Sequence, residues 1–313
     1  MKRKVLFFGL LVVLTLSILS IASRKADSPT CKEILFTHFF VSRNGFESNI
    51  TAICPDETSA RQVTTHGLLG NSMPNWSPDG SKIAYLSAAS GTRQLHLMDP
   101  DGGNDHQITT GSGLDVSQLM WLPDGKRIAM MVAQTGEWKW QAVNVVTGEI
   151  TSLDAWAFQS DSFLSMSLSH DGARIAYVVK TNPEQANSPY KLYIQGIDGS
   201  NPLVLANTNG IIQNPIWSPD DSQIAFLSCG ENATCEENAI YIINTDGSNL
   251  HQLTTTDFRP WMIAWSPDGA SLAVIADDER YSGGVLYDLD IKSGKRTALF
   301  KLEEPSMISQ LSW

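Results

Sequence analysis

The sequence predicts an all-β chain closed into a six-bladed β-propeller of four-stranded antiparallel blades, and three observations carry that prediction. A unit recurs as WSPDGSKIAY from Trp76, WLPDGKRIAM from Trp121, LSHDGARIAY from Leu168, WSPDDSQIAF from Trp217 and WSPDGASLAV from Trp265. The copies lie 45 to 49 residues apart, the spacing of strand-built propeller units. The chain stops at Trp313, in SQLSW, 48 residues beyond Trp265, so it ends on the strand that leads into the turn.

Each position of the unit has a physical reason. Proline sets the torsion of the first turn corner, Asp accepts hydrogen bonds from nearby backbone N–H groups, and Gly supplies the positive φ that ends the turn. The next residues, as in Lys82-Ile83-Ala84-Tyr85, alternate as a strand should. Ala recurs at Ala84, Ala129, Ala176, Ala225 and Ala273, where a small side chain lets neighbouring sheets approach. Trp adds a large apolar area at the end of the preceding strand. The fourth copy has Asp221 in place of Gly, which predicts left-handed strain in its turn.

A second strand follows in QLHLMDPDGGN from Gln94, KLYIQGIDGSN from Lys191 and AIYIINTDGSN from Ala239, then a short third such as HQIT at His106 or HQLT at His251. The DPDG, VTG, IDG, TDG and KSG pieces read as hairpin turns. With the strand leading into each Trp, every unit holds four strands, one propeller blade. One period before Trp76, DSPTCKEILF from Asp27 keeps Ser28, Pro29 and the apolar Ile34, Leu35 and Phe36 but loses Trp, Asp and Gly. That first unit, from about Lys32 to Thr65, offers three strands and no inner one. Pairing it with the C-terminal strand closes the ring and removes free sheet edges.

The unit resembles the WSPDG, or WD-like, repeat of TolB-like propellers over residues 27–313. The resemblance implies the fold strongly and the function weakly, because such propellers serve as protein-binding modules, as lids on serine peptidases and occasionally as lyases. TolB-like proteins with an α/β domain before the propeller have no counterpart to it in this sequence, so a role in the Tol-Pal envelope system does not carry over directly.

Residues 1–26 read as a signal peptide or N-terminal membrane anchor and 27–313 as the propeller. MKRK precedes an apolar run of 18 residues, Val5 to Ala22, with a small-x-small site at Ser20-Ile21-Ala22. This predicts an exported protein, periplasmic, secreted or membrane-anchored, with the propeller outside the cytoplasm. In the repeat register Cys31 opens one strand and Cys54 closes its antiparallel neighbour, while Cys229 and Cys235 flank GENAT where two strand ends meet. Disulfides Cys31 to Cys54 and Cys229 to Cys235 are therefore expected. The formal net charge of -11 makes nucleic acid and anionic polymers poor partners.

A GxSxG elbow and an HExxH motif are both absent from the sequence. Of the histidines, His38, His66, His96, His106, His170 and His251, only His106 and His251 match each other, both opening an outermost strand. No metal and no cofactor is expected from this set. The ring of turn carboxylates, Asp79, Asp124, Asp171, Asp220 and Asp268, is explained by backbone capping. What remains is the rim where blades connect, a usual place for recognition. There Trp156, Phe158, Phe258 and Trp261 are candidate binding anchors. Phe158 and Phe258 also fit a recurrent inward-packing position, and Trp138 and Trp140 in GEWKWQ are a further aromatic pair whose spacing suits one strand face. The sequence thus predicts a monomeric, non-catalytic propeller that binds a protein, peptide or glycan on its loop rim or channel mouth. The alternative is a stand-alone propeller hydrolase or lyase acting on an extracellular polymer; a channel lined by titratable groups would favour it.

Overall fold

A computed structural model of the chain describes residues 31–313 apart from 44, 57–58, 65–69, 111–115, 135–136, 154–162, 183, 186–187, 230–237, 279–280 and 302–305. The leader expected at residues 1–26 lies outside the described residues.

Six four-stranded antiparallel sheets form the blades. Blade 1 comprises β1 (Ile34–Ser42), β2 (Gly45–Ile53) and β3 (Arg61–Gln62), and blade 2 β4 (Ser72–Trp76), β5 (Ile83–Ser87), β6 (Gln94–Met98) and β7 (His106–Gln107). Blade 3 holds β8 (Val116–Trp121), β9 (Arg127–Gln134), β10 (Glu137–Asn144) and β11 (Ile150–Ser152). Blade 4 holds β12 (Phe163–Leu168), β13 (Arg174–Lys180), β14 (Tyr190–Gly196) and β15 (Leu203–Thr208). Blade 5 holds β16 (Ile212–Trp217), β17 (Gln223–Cys229), β18 (Asn238–Asn244) and β19 (His251–Gln252). Blade 6 holds β20 (Pro260–Trp265), β21 (Ser271–Asp278), β22 (Tyr281–Asp290) and β23 (Arg296–Lys301). The last strand, β24 (Met307–Ser312), returns to blade 1 and pairs with β1, with Leu35 opposite Ser312 and His38 opposite Ile308. The expected closure is the observed one.

The core lies between blades. Ala84, Ala129, Ala176, Ala225 and Ala273 are all fully buried, each on a β-strand face that meets the neighbouring sheet. Between blades 2 and 3, Leu86, Leu95 and Leu97 pack on Leu119, Trp121 and Met130. Between blades 5 and 6, Ile240 and Ile242 pack on Ile263, Trp265 and Leu272. Full burial of one such side chain is worth about 1.5–3 kcal/mol, so repeated facing pairs rather than a single central core stabilise the ring.

The repeated Trp also ties blades together through its one polar atom. Trp121 Nε1 donates to Asn75 O at 3.1 Å, Trp217 Nε1 to Ser167 O at 3.2 Å and Trp265 Nε1 to Ile216 O at 3.2 Å, each in the preceding blade. Trp76 Nε1 donates to Glu33 O at 3.0 Å. Blade 4 has Leu168 at this position and lacks the donor.

The turn behaves as its residues predict. In blade 2 Ser77 Oγ donates to Asp79 Oδ1 at 2.7 Å, Asp79 Oδ1 accepts from Ser81 N at 3.0 Å, and Ser77 Oγ accepts from Lys82 N at 2.9 Å. The serine bonds hold the carboxyls of Asp79, Asp171, Asp220 and Asp268 below the usual carboxylate range. Asp221 sits at φ 57°, the left-handed conformation expected where Gly is missing. Its carboxylate has a task the sequence did not suggest: it accepts from His170 N at 2.8 Å, Asp171 N at 2.9 Å and His170 Nδ1 at 3.1 Å, gripping the turn of blade 4.

Cys31 and Cys54 form the expected disulfide, with Cα atoms 5.9 Å apart. Cys229 is disulfide-bonded as well; Cys235 lies outside the described residues.

Candidate functional site

The six inner strands, β4, β8, β12, β16, β20 and β24, surround the channel of a propeller. Their sequences are SMPNW, VSQLMW, FLSMSL, IQNPIW, PWMIAW and MISQLS. Not one residue among them is Asp, Glu, Lys, Arg or His. The inner strands carry amides, hydroxyls, thioethers, aliphatic groups and aromatic rings, so they offer hydrogen bonds and no fixed charge.

Every inner strand also departs from regular pairing before its Trp position, where the register with the second strand shifts. Such β-bulges re-aim side chains; in β4, β16 and β24 the shift takes in the residue three places before the Trp position, and in β8, β12 and β20 the one four places before it. In those first three strands that residue, Met73, Asn214 or Gln310, adopts positive φ. Gln310 Oε1 accepts from Met73 N at 2.8 Å and from Thr37 Oγ1 at 2.8 Å, and Asn214 Nδ2 donates to Trp261 O at 3.1 Å. One position from the Trp, Asn75 Nδ2 donates to Leu119 O at 3.3 Å. Much of the amide lining therefore joins one inner strand to the next.

Blades 3 and 4 differ. Among the described residues β8 and β12 do not run side by side as the other neighbouring inner strands do. Gln118 Oε1, Ser165 Oγ and Ser167 Oγ, all on these two strands, are buried atoms without a hydrogen-bond partner.

The candidate anchors fall in different places. Phe258 is only 4% exposed and packs edge-on to Tyr287 at 5.3 Å, with the Arg296 guanidinium 4.5 Å from its ring centroid. It sits inside the junction of blades 5 and 6, at the inward position its repeat register predicts, and presents little surface to a partner. Trp261 is the bulged residue of β20 and is half-buried against the core cluster that holds Ile275 and Leu286 of blade 6. Its ring lies across Gly284, at φ +84°, where an added Cβ would come within 2.7 Å of the indole. Trp156 and Phe158 lie outside the described residues. Of the GEWKWQ pair, Trp140 is buried between blades 3 and 4 and Trp138 is exposed near the hairpin end. Sequence reasoning passed over Phe46, 75% exposed, and its cross-strand partner Val41. The signal available was the long apolar hairpin FTHFFVSRNGF, which outruns its counterpart in blade 2.

The histidines are dispersed. His106 and His251 make the same contact, Nδ1 to the carbonyl of Asn104 at 2.8 Å and of Asn249 at 2.9 Å, at exposed outer edges. His38 is ringed by Phe40 and Phe300, and burial lowers its pKa. The grouping of Cys31, Cys54 and Asp56 spends both sulfurs in the disulfide, so as it stands it offers no thiolate to a metal.

Comparison with known proteins agrees with this architecture. The family described as "TolB beta propeller domain" matches residues 168–301, and the "Lipoprotein LpqB beta-propeller domain" family matches residues 57–202. The "Tol-Pal system protein TolB" of Hamiltonella defensa subsp. Acyrthosiphon pisum (strain 5AT) is 42% identical over 55 residues, 18% of this chain and 12% of that protein. The aligned part is thus a small fraction of that relative. The crystal structure of TolB from Acinetobacter baumannii superposes with TM-score 0.68 at 17% identity, covering 90% of this chain and 66% of that one. An oligogalacturonate lyase in complex with manganese superposes with TM-score 0.54 at 17% identity, covering 87% of this chain and 74% of the lyase. At these identities the structural likenesses speak for the fold.

Proposed function

Because this chain is a TolB-like β-propeller of WSPDG repeats, we propose that it is a non-catalytic binding module that works outside the cytoplasm. Its partner is a protein, peptide or glycan taken on the loop rim or at the channel mouth. The observation that supports this reading is the uncharged inner wall. Acid–base chemistry needs a titratable group at the reacting atoms, and the inner strands supply amides and hydroxyls instead. A lyase or hydrolase on this scaffold would need its acid and base from the connecting loops.

Trp261 on β20, together with Trp156 and Phe158 on the connection from blade 3 to blade 4, are the proposed anchors. Phe258 supports the rim from within. The Cys31–Cys54 bridge fits an oxidising compartment, and residues 1–26 are proposed to direct export or to tether the propeller. The propeller is taken to act as a monomer, and its acidity argues against nucleic acid.

The test is capture of partners from an envelope fraction with residues 23–313, alongside the Trp156→Ala, Trp261→Ala double variant. A specific partner retained by the parent and lost by the folded variant supports the reading. Turnover of an extracellular polymer by the purified parent would overturn it.

A further inference from the structure

We propose that Cys31, Cys54 and Asp56 form a redox-gated site for one zinc ion, closed while the two cysteines are bridged and opened when a dithiol reductant parts them. The site is independent of the binding reading above.

Among the described residues this is the one place where three side chains of metal-ligating type converge, with their donor atoms all within 4.8 Å of one another. The fold brings them together. Ile34 pairs with Ile53 at the open end of the β1–β2 hairpin, so Cys31 and Cys54 flank that pair with Cα atoms 5.9 Å apart. Asp56 stands two residues past Cys54, and Pro55 between them fixes a backbone torsion on the way to the carboxylate.

The cluster also has an entrance. A cavity of about 370 Å³ at the junction of blades 1 and 6 is lined by Cys31, Lys32, Asp56, Pro267, Asp268 and Trp313. Cys54 is buried, but Cys31 is half-buried and Asp56 exposed, so an ion or a reductant entering the cavity meets the cluster on their side. Asp268 is already engaged, its Oδ1 accepting from Ser266 Oγ at 2.6 Å and from Ala270 N at 3.0 Å.

Zinc takes thiolate sulfur at about 2.3 Å and carboxylate oxygen at about 2.1 Å. In a tetrahedron those lengths set the sulfurs about 3.8 Å apart and each about 3.6 Å from the oxygen, within the span the three groups already cover. A fourth corner is left for water. Two thiolates and a carboxylate bring three negative charges to a doubly charged ion, and Lys32 on the cavity wall balances the one left over. A lysine beside Cys31 also favours the thiolate that the metal requires.

Opening is a thiol–disulfide exchange. A thiolate of the reductant attacks the sulfur of Cys31, the cysteine that lines the cavity, and the Cys54 thiolate leaves. The reductant's second thiolate then attacks its own sulfur in the mixed disulfide, and the Cys31 thiolate leaves. Two electrons pass from the dithiol to the cysteines, the dithiol departs as a disulfide, and its two protons go to water. Zinc takes both thiolates, so the start of β1 stays linked to the end of β2 in either redox state.

The test reduces the full chain in detergent with a dithiol, removes the reductant without oxygen, and titrates Zn2+ in competition with a chromophoric chelator. The reduced parent is expected to take up one more zinc ion per chain than reduced Cys31→Ser, a difference in which any zinc held by Cys229 and Cys235 cancels. At this site the oxidised parent is expected to take none. Asp56→Asn is expected to bind at least about tenfold more weakly, since even outer partners of a metal ligand are worth that much. Co2+ in place of zinc should give the reduced parent thiolate charge-transfer absorption that Cys31→Ser lacks. Equal zinc uptake by reduced parent and Cys31→Ser overturns the proposal, as does equal uptake by oxidised and reduced parent or undiminished affinity in Asp56→Asn. If reduction alone unfolds the chain, it is repeated with Zn2+ present and followed by circular dichroism. A fold then kept by the parent and lost by Cys31→Ser supports the site, and a fold lost by both overturns it.

Discussion

Replacing Asp221 by Gly restores the repeat's own consensus, and the structure predicts that it weakens the protein. The left-handed φ of 57° costs an L-residue about 1–2 kcal/mol, at the low end for Asp, and glycine relieves it. Glycine also loses more chain entropy on folding, about 0.5–1 kcal/mol relative to Ala, so the relief largely cancels. Against that stands a carboxylate, 12% exposed, that accepts from two backbone N–H groups and the imidazole of blade 4. Hydrogen bonds to a charged group are worth about 1.5–3 kcal/mol each, and released turn N–H groups can find water, so a net loss of about 2 kcal/mol is expected. For a domain of this size that is a fall of about 3–4 °C in melting temperature. Asp221→Asn keeps one acceptor and tolerates the conformation, so its loss is expected to be about half as large. Thermal unfolding of both variants by circular dichroism is the assay. A glycine variant as stable as the parent would refute the reasoning, because strain would then outweigh the clamp.

Trp121→Phe keeps most of the ring but removes the bond to Asn75 O, and chemical denaturation should show a loss of about 1 kcal/mol. Cys31→Ser opens a bridge spanning 23 residues, for which loop entropy gives about 3 kcal/mol, measurable as a melting temperature below that of the oxidised parent. Asp288 occupies an apolar repeat position, and burial raises its pKa, partly offset by Ser271. A raised folded pKa means that the ionised carboxylate destabilises the fold above it, and that this penalty fades as pH falls through that value. Asp288→Asn should therefore be more stable than the parent at pH 7, with the difference vanishing near the unfolded pKa of about 3.9. The turn carboxylates act in the opposite sense: with lowered folded pKa values, their stabilisation is present above about pH 4 and is lost as pH falls through those values, so urea midpoints of the Asp288→Asn variant should decline in acid. Gly284→Val should displace the Trp261 ring, lower stability by about 2 kcal/mol and shift tryptophan fluorescence.

The local devices were legible in the sequence because they are local. Ser77 and Asp79 bond within one turn, and the small residue at Ala84 faces its neighbour in every copy, so aligning the copies was enough. The strain at Asp221 was legible from the missing Gly. Its purpose was not, because the N–H groups that donate to it lie 50 and 51 residues away in another blade. The same distance hid the channel. Gln310 and Met73 are 237 residues apart in sequence, and no periodicity marks a bond of that kind. The charge-free wall is written in the residues before each Trp, where the copies share no motif beyond the lack of charge. Phe258 illustrates a different limit: an aromatic residue on a connecting loop reads the same whether it faces solvent or, as here, the underside of the rim.

Ring closure makes the order of synthesis matter. Blade 1 is translated first but lacks its inner strand until Met307–Ser312 emerges, so β1 waits with one edge unpaired through the making of all the other blades. Loop closure of that length is slow and precedes any reward from the contacts it creates. The disulfide between Cys31 and Cys54 needs no such wait, because it lies within the first hairpin. It can hold β1 and β2 in register while the rest of the chain is made, which assigns the bridge a part in assembly as well as in the finished ring.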